Sequence, residues 1–179
     1  REAQVTLSAH SQGVQELAEQ FATSLGFPQA ITEDLGLAGW LHDIGKADPR
    51  FQRWLVGGSE VRLALLEEPI AKSALSSDDP TRRRMARRMA GYPAGYRHEL
   101  LSMAMVAQQD DVLRRAHDPD LVLHLVASHH GWCRPFAPAL DDDQDLAVGL
   151  QHGETAFVAS TRHRLGRLDS GVAERFWSL

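Results

Sequence analysis

The stretch GWLHDIGKADPRFQ, residues 39–52, is the segment on which both fold and chemistry turn. An apolar run over residues 35–41 predicts a buried helix, and it ends in adjacent His42 and Asp43. Gly45 and Lys46 follow at once. Taking an imidazole, a carboxylate and an amine out of water without partners costs on the order of several kcal/mol. Two explanations are open at this point: a bound metal, or an ordinary helix end that happens to be polar.

Working outward, most of the chain carries helical periodicity. Over residues 8–25, Val14, Leu17, Ala18, Phe21 and Leu25 recur at helical spacing, and Gly26 is a suitable stop. Thr32 is the expected cap of the helix that leads to His42. Asp48–Pro49 is a helix start, because Asp caps and Pro fits the first turn; Gly57–Gly58 ends that helix. Residues 61–66 read as one or two further turns. The run SSDDP (residues 76–80) is linker-like, and TRRRMARR then packs five arginines into residues 82–88. Helices are expected at residues 97–115, from Pro119 to a stop at Gly131, at 154–165 and at 172–179, with a loop at 134–144. No convincing strand alternation or internal repeat is visible. The expected class is therefore all-α.

Composition narrows the classes. The chain has 179 residues, 43% hydrophobic and 24% charged, which suits one soluble globular domain. A formal charge of −5 gives no general attraction for nucleic acid, so any such contact needs a local basic patch. The single Cys133 excludes a disulfide framework and a cysteine-based zinc site, and fits a reducing cytoplasm. No apolar run approaches the roughly 20 residues of a membrane span, and no secretory leader is visible. No phosphate loop ending in Lys-Ser/Thr is present, so no ATPase is encoded here.

Nine histidines are more than ordinary composition supplies. They stand at the ends of apolar segments in LSAHSQGV (His10), WLHDIGK (His42), YRHELLS (His98) and VASHHGW (His129 and His130). Imidazole and carboxylate are ligands of first-row divalent metals, and the two oxygens of Asp43 suit it to bridge a pair of ions. Taken singly, a histidine is more often a surface or hydrogen-bonded residue than a ligand. His117, His124, His152 and His163 are read in that way: His124 sits among leucines and the others lie in polar runs. The case for ligation rests on the ordered set.

That ordered set, H … HD … H … HH, resembles the HD phosphohydrolase superfamily. Its details are similar to one branch, the HD nuclease domain of the CRISPR type I nuclease–helicase. The carrying pieces are His10, the HDIGKADPRFQ block with Lys46 and Phe51–Gln52, the RHE of Arg97, His98 and Glu99, and the SHHG of residues 128–131. The resemblance implies a helical bundle with a metal site at its centre. It implies two divalent ions (Fe²⁺, Mn²⁺, Ni²⁺ or Co²⁺, with Mg²⁺ also admissible) on His10, His42, Asp43, His98, His129 and His130, Asp43 being shared. Lys46 would act with Asp43 in catalysis by stabilising charge on the phosphate; the plainer alternative is a solvated helix-end lysine.

The implied substrate is single-stranded DNA, and the implied partners are an ATP-driven helicase, in the same or a separate chain, and the CRISPR surveillance complex. Arg82, Arg83, Arg84, Arg87, Arg88, Arg97 and Arg134 are candidates for a phosphate track, with Trp132 and Tyr96 as stacking platforms. The plain alternative is that the arginines face water and Trp132 packs. In the family pattern a late Asp ligand follows an FW-containing segment. Here Asp169 precedes Phe176–Trp177 and reads as a helix cap, while Asp141, Asp142 and Asp143 read as solvated. The sequence starts at Arg1 and stops at Leu179 inside an apolar-periodic stretch. The expectation is a single HD domain over residues 1–179, cut from or partnered with a helicase, with the last ligand beyond its C-terminus. Two other functions stay open: a nucleotide phosphohydrolase, which needs a closed pocket, and a degenerate HD domain acting as a binding module.

Overall fold

The computed structural model describes residues 4–73, 79–140 and 142–179. Ser76, Ser77 and Asp78 of the linker-like run at 76–80, and Asp141, fall outside them. The protein is mostly helical. Helix α1 (Leu7–Ser24) is capped by Thr6, whose Oγ1 accepts from Ala9 N at 3.2 Å. Helix α2 (Gln29–Leu41) packs antiparallel to it. Their contact is close because α2 presents glycine: a Cβ at Gly39 would lie 3.2 Å from the backbone of Val14 and Gln15. The buried residues of α1 are Leu7, Ser11 and Ala22, while Leu17, Phe21 and Leu25 are exposed. The helical spacing read from the sequence holds, but most of the large apolar residues that mark it lie on the solvent side.

Thr32 is no cap either. Helix α2 begins three residues earlier behind Pro28, and Thr32 is a buried helical residue. The HD segment continues α2 as a 3-10 turn (Ile44–Ala47), and Asp48 then caps α3 (Pro49–Leu55) through Arg50 N at 2.8 Å. After α4 (Glu60–Ala64), the arginine-rich segment forms α5 (Pro80–Ala90), capped by Asp79 and closed by Gly91 at φ 72°. Only Ala86 and Ala90 of α5 are buried, so it lies on the outside, against α3.

The central helices are α6 (His98–Val106) and α8 (Pro119–Ser128), which pack on each other and, through α8, on α2. All nine residues of α6 are buried. The expected single helix over 97–115 is split. Helix α6 ends at Val106, and Asp110 and Asp111 open a separate α7 (Asp110–Leu113), where their charge meets a positive helix end.

The expected helix at 154–165 is absent. Residues Ala147–His152 (β1) and Thr155–Ser160 (β2) form an antiparallel hairpin, with His152 paired to Thr155 across a two-residue turn. Gly153 at φ 57° starts that turn, as primed hairpin turns require. Val148, His152, Phe157 and Ala159 point inward, and Val158 faces solvent. The hairpin covers α6, and a last helix α9 (Val172–Ser178) leans on α8, where Arg175 Nε meets Asp120 Oδ1 at 2.7 Å. Asp169 caps nothing: α9 follows Gly171 without a side-chain cap, and Asp169 pairs with Arg167. No helix among the described residues is long and apolar enough to cross a membrane.

Candidate metal centre

Helix ends bring the site together. His42 terminates α2, Asp43 precedes the 3-10 turn, His98 is the first residue of α6, His129 terminates α8, and His10 lies in the first turns of α1. Gly45 lets two of these meet. Its N–H donates to Ser102 Oγ at 2.8 Å, and a Cβ there would lie 2.2 Å from His98 O and 2.6 Å from Ser102 N. Only glycine allows the HD turn to lie this close to α6.

Asp43 is 1% exposed and is the hub. Its Oδ2 faces His10 Nε2 at 3.2 Å, His42 Nε2 at 3.1 Å and Lys46 Nζ at 2.6 Å. Its Oδ1 faces His98 Nε2 at 3.0 Å and His129 Nε2 at 3.6 Å. His130 completes the second side, its ring centroid 5.1 Å from that of His98 and 4.2 Å from that of His129. The residues form two overlapping groups, His10–His42–Asp43 and Asp43–His98–His129–His130. Within each group the potential ligand atoms lie within 4.8 Å of one another. The six candidate ligands named from the sequence are thus brought to one place, with Lys46 beside them rather than solvated.

The hydrogen bonds say what this place wants. His42 Nδ1 lies 2.6 Å from Gly39 O and His129 Nδ1 lies 2.8 Å from Val126 O. A carbonyl only accepts, so both rings carry their proton on Nδ1. Their Nε2 lone pairs then point at Asp43, which also only accepts. Such contacts need a positive charge between them. Protonating every ring would crowd several like charges beside Lys46, whereas a divalent cation satisfies several lone pairs at once. Among the described residues, His129 Nε2 is a buried nitrogen with no hydrogen-bond partner.

Electrostatics agrees with a ligand set. Burial pushes the Asp43 carboxyl up, but the imidazoles of His10, His129, His42 and His98 gathered around it outweigh burial and hold it ionised, well below the usual carboxylate range. Burial pushes His98 down to about 4 against the pull of Asp43, and pushes His130 down too. Both rings are neutral at pH 7, as metal ligation requires.

Several residues of the surrounding shell have no role legible in sequence. Gln52 Nε2 donates to Lys46 O at 2.8 Å and Ile70 O at 3.0 Å, while its Oε1 accepts from Ile70 N at 2.9 Å. The segment at Ile70 bonds the start of α1, Leu7 N to Pro69 O at 2.7 Å. Gln52 therefore ties Lys46 to the helix that carries His10. Asp34, 2% exposed on α2, accepts from His117 N and Asp118 N at 2.8 Å each and so fixes the start of α8. Arg50 sits between Asp48 Oδ2 at 2.6 Å and Asp142 Oδ2 at 2.7 Å. Asp142 is consequently buried and paired, not solvated as its acidic neighbourhood suggested; Asp143 is exposed.

The candidate nucleic-acid residues divide. Arg82, Arg83, Arg84 and Arg88 are exposed on α5. Arg87 folds inward over the Trp54 and Tyr92 rings, with centroids at 5.0 and 5.1 Å, and is occupied there. Tyr96 is 4% exposed and its hydroxyl donates to Thr161 O at 2.6 Å, so it offers no face for stacking. Trp132 is 45% exposed with Arg97 5.2 Å from its ring centroid, and Arg134 is exposed beside it. The remaining histidines have other partners. His117 pairs with Glu33, His124 lies against Phe176, His163 packs near Tyr96, and His152 is buried against Trp40.

Neither the comparison with curated proteins nor that with solved structures found a match. The family model described as "Cas3, HD domain" matches residues 3–172. The match covers nearly the whole chain, including every residue of the centre, and the chain therefore belongs to this family of metal-dependent HD nucleases of CRISPR systems.

Proposed function

We propose that the chain is a deoxyribonuclease that hydrolyses phosphodiester bonds of single-stranded DNA in type I CRISPR interference, in the cytoplasm, with two divalent cations. The observation that supports this reading is the division of Asp43. One oxygen faces His10, His42 and Lys46, and the other faces His98 and His129. The residues of the first group would hold one cation, and those of the second, with His130, the other. Fe²⁺, Mn²⁺, Ni²⁺ and Co²⁺ suit the imidazole–carboxylate set, and Mg²⁺ is a further candidate.

When bound, such cations make hydroxide available near neutral pH and offset charge on the phosphate. The protein's own part is positioning. Asp43 orients its neighbours, and Lys46 donates toward a non-bridging phosphate oxygen as negative charge grows there. Trp132 follows His130 by two positions and offers an exposed aromatic face for a base, with Arg97 and Arg134 for the backbone. The exposed arginines of α5 form a second basic surface for the strand. An ATP-driven helicase would deliver that strand, recruited with the CRISPR surveillance complex.

The test is to strip the chain of metal, restore Mn²⁺, Fe²⁺, Ni²⁺, Co²⁺ or Mg²⁺ in turn, and offer circular single-stranded DNA alongside a panel of nucleotides. Nicking that disappears in Asp43→Ala is the expected result. Nucleotide turnover without nicking would replace this reading with a nucleotide phosphohydrolase, and neither activity would leave a binding module.

A further inference from the structure

His98 differs from the other well-anchored rings of the centre. His42 and His129 each stand at the C-terminal end of a helix, and each is oriented by the carbonyl three residues earlier, Gly39 O and Val126 O. His98 opens α6, so no helical carbonyl precedes it. Its Nδ1 faces a side chain instead: Glu99 Oε2 at 3.5 Å. Glu99 is 0% exposed, and its other oxygen accepts from Arg97 Nε at 2.6 Å. Among the described residues, Glu99 Oε2 has no hydrogen-bond partner.

A neutral imidazole has one N–H, and His98 stands between two carboxylates. With the proton on Nε2 it donates to Asp43, 3.0 Å away, and leaves Glu99 Oε2 unsatisfied in a water-free position. With the proton on Nδ1 it turns its N–H toward Glu99 Oε2, 3.5 Å away, and frees Nε2 as a donor of electrons to a cation. Only the second arrangement lets both carboxylates face a positive partner, the N–H on one side and an ion between Nε2 and Asp43 on the other. A carboxylate also makes the opposite ring nitrogen a stronger ligand than a carbonyl does. Burying Glu99 without such a purpose would cost free energy that the Arg97 contact offsets on one oxygen only.

We infer that Glu99 is the positioning residue of His98: it holds the ring proton on Nδ1, so that Nε2 binds the cation shared by Asp43, His129 and His130. The inference rests on the metal-centre reading above. Arg97 has a second task in this scheme, since it compensates Glu99 from the half-exposed rim where it also covers Trp132.

Zn²⁺ is the probe, because it is diamagnetic. Nitrogen-15 NMR of Zn²⁺-loaded wild-type chain should show His98 protonated at Nδ1 and ligated at Nε2, with the Nδ1 proton lost or displaced in Glu99→Gln. Ligation through Nδ1, or a proton on Nε2, overturns the inference, and this readout needs no variant to fold. Chelator-competition titration gives the second arm. Wild type should take up two Zn²⁺ per chain, and Glu99→Gln should weaken one of them by roughly 10–100-fold while sparing the other. Equal weakening of both ions with a lowered metal-free melting temperature would make Glu99 merely structural and overturn the inference. Two ions bound identically in both chains would also overturn it, leaving the centre itself intact. A wild-type chain that takes up no Zn²⁺ would overturn the metal-centre reading, and this inference with it.

Discussion

His42 Nε2 lies 3.1 Å from Asp43 Oδ2, while its other ring nitrogen is committed to Gly39 O at 2.6 Å. A lone pair is thus aimed at a carboxylate inside the protein, an arrangement that a cation relieves. Adding Mn²⁺ to metal-free chain should raise the melting temperature, by the ordinary linkage of ligand binding to the folded state. Asp43→Asn should abolish that rise. An equal rise in the variant would place the ion elsewhere.

Lys46 Nζ donates to Asp43 Oδ2 at 2.6 Å and to Ala71 O at 3.3 Å. In Lys46→Ala, kcat for DNA cleavage should fall by about 10²–10³-fold, the scale of losing one preorganised donor to the transition state. Cation affinity should hold or increase, because a like charge leaves the site. A variant with normal kcat would return Lys46 to a structural role.

Gly45 sets how closely the HD turn meets α6. Gly45→Ala would place a methyl group 2.2 Å from His98 O, and the backbone must move to admit it. Overpacking of this kind costs about 1–3 kcal/mol. Urea unfolding should register that loss, and metal titration should register weaker binding, since His98 moves away from Asp43. Wild-type values for both would mean that the two segments separate at no cost.

How much of this was legible in sequence depends on range. His10, His42, Asp43, His98, His129 and His130 were readable as a set, through their order along the chain and its resemblance to the HD pattern; a place at the end of an apolar segment singled out none of them alone. Asp48–Pro49 declared a helix start by a purely local signal. Asp34 was not readable, because its partners lie at His117 and Asp118, brought near only by folding. Nor was the burial of Asp142, whose acidic neighbours suggest solvent until Arg50 is placed against it. The hairpin at 147–160 was missed because its inward alternation is short, interrupted by Gly149, and uses His152 as an inward residue. On α1, spacing found the helix but not its face: Leu7, Ser11 and Ala22 are buried while Leu17 and Phe21 face solvent.

The Asp34 clamp makes its own prediction. In Asp34→Ala, two backbone N–H groups at the start of α8 lose their acceptor. Unfolding free energy should drop by about 1–3 kcal/mol. An unchanged denaturation midpoint would mean that the turn finds other partners.

His152 gives the chain an acid-side sensitivity. Burial pushes its pKa below 6.5, and the bond it donates to Trp40 O only partly offsets that. The unfolded chain takes up this proton near pH 6.5 while the folded chain resists it, so stability must fall as pH drops below about 6.5. In His152→Phe, the difference between urea midpoints at about pH 7.5 and about pH 5.5 should shrink relative to wild type. An identical difference would assign the effect to other groups.

The central claim is that Asp43 divides two cations between two sets of histidines. Anomalous diffraction from crystals of the chain grown with Mn²⁺ tests it most directly. The account predicts two peaks flanking Asp43, one against His10 and His42 and the other against His98, His129 and His130. No peak beside Asp43, or peaks confined to surface carboxylates, would contradict it.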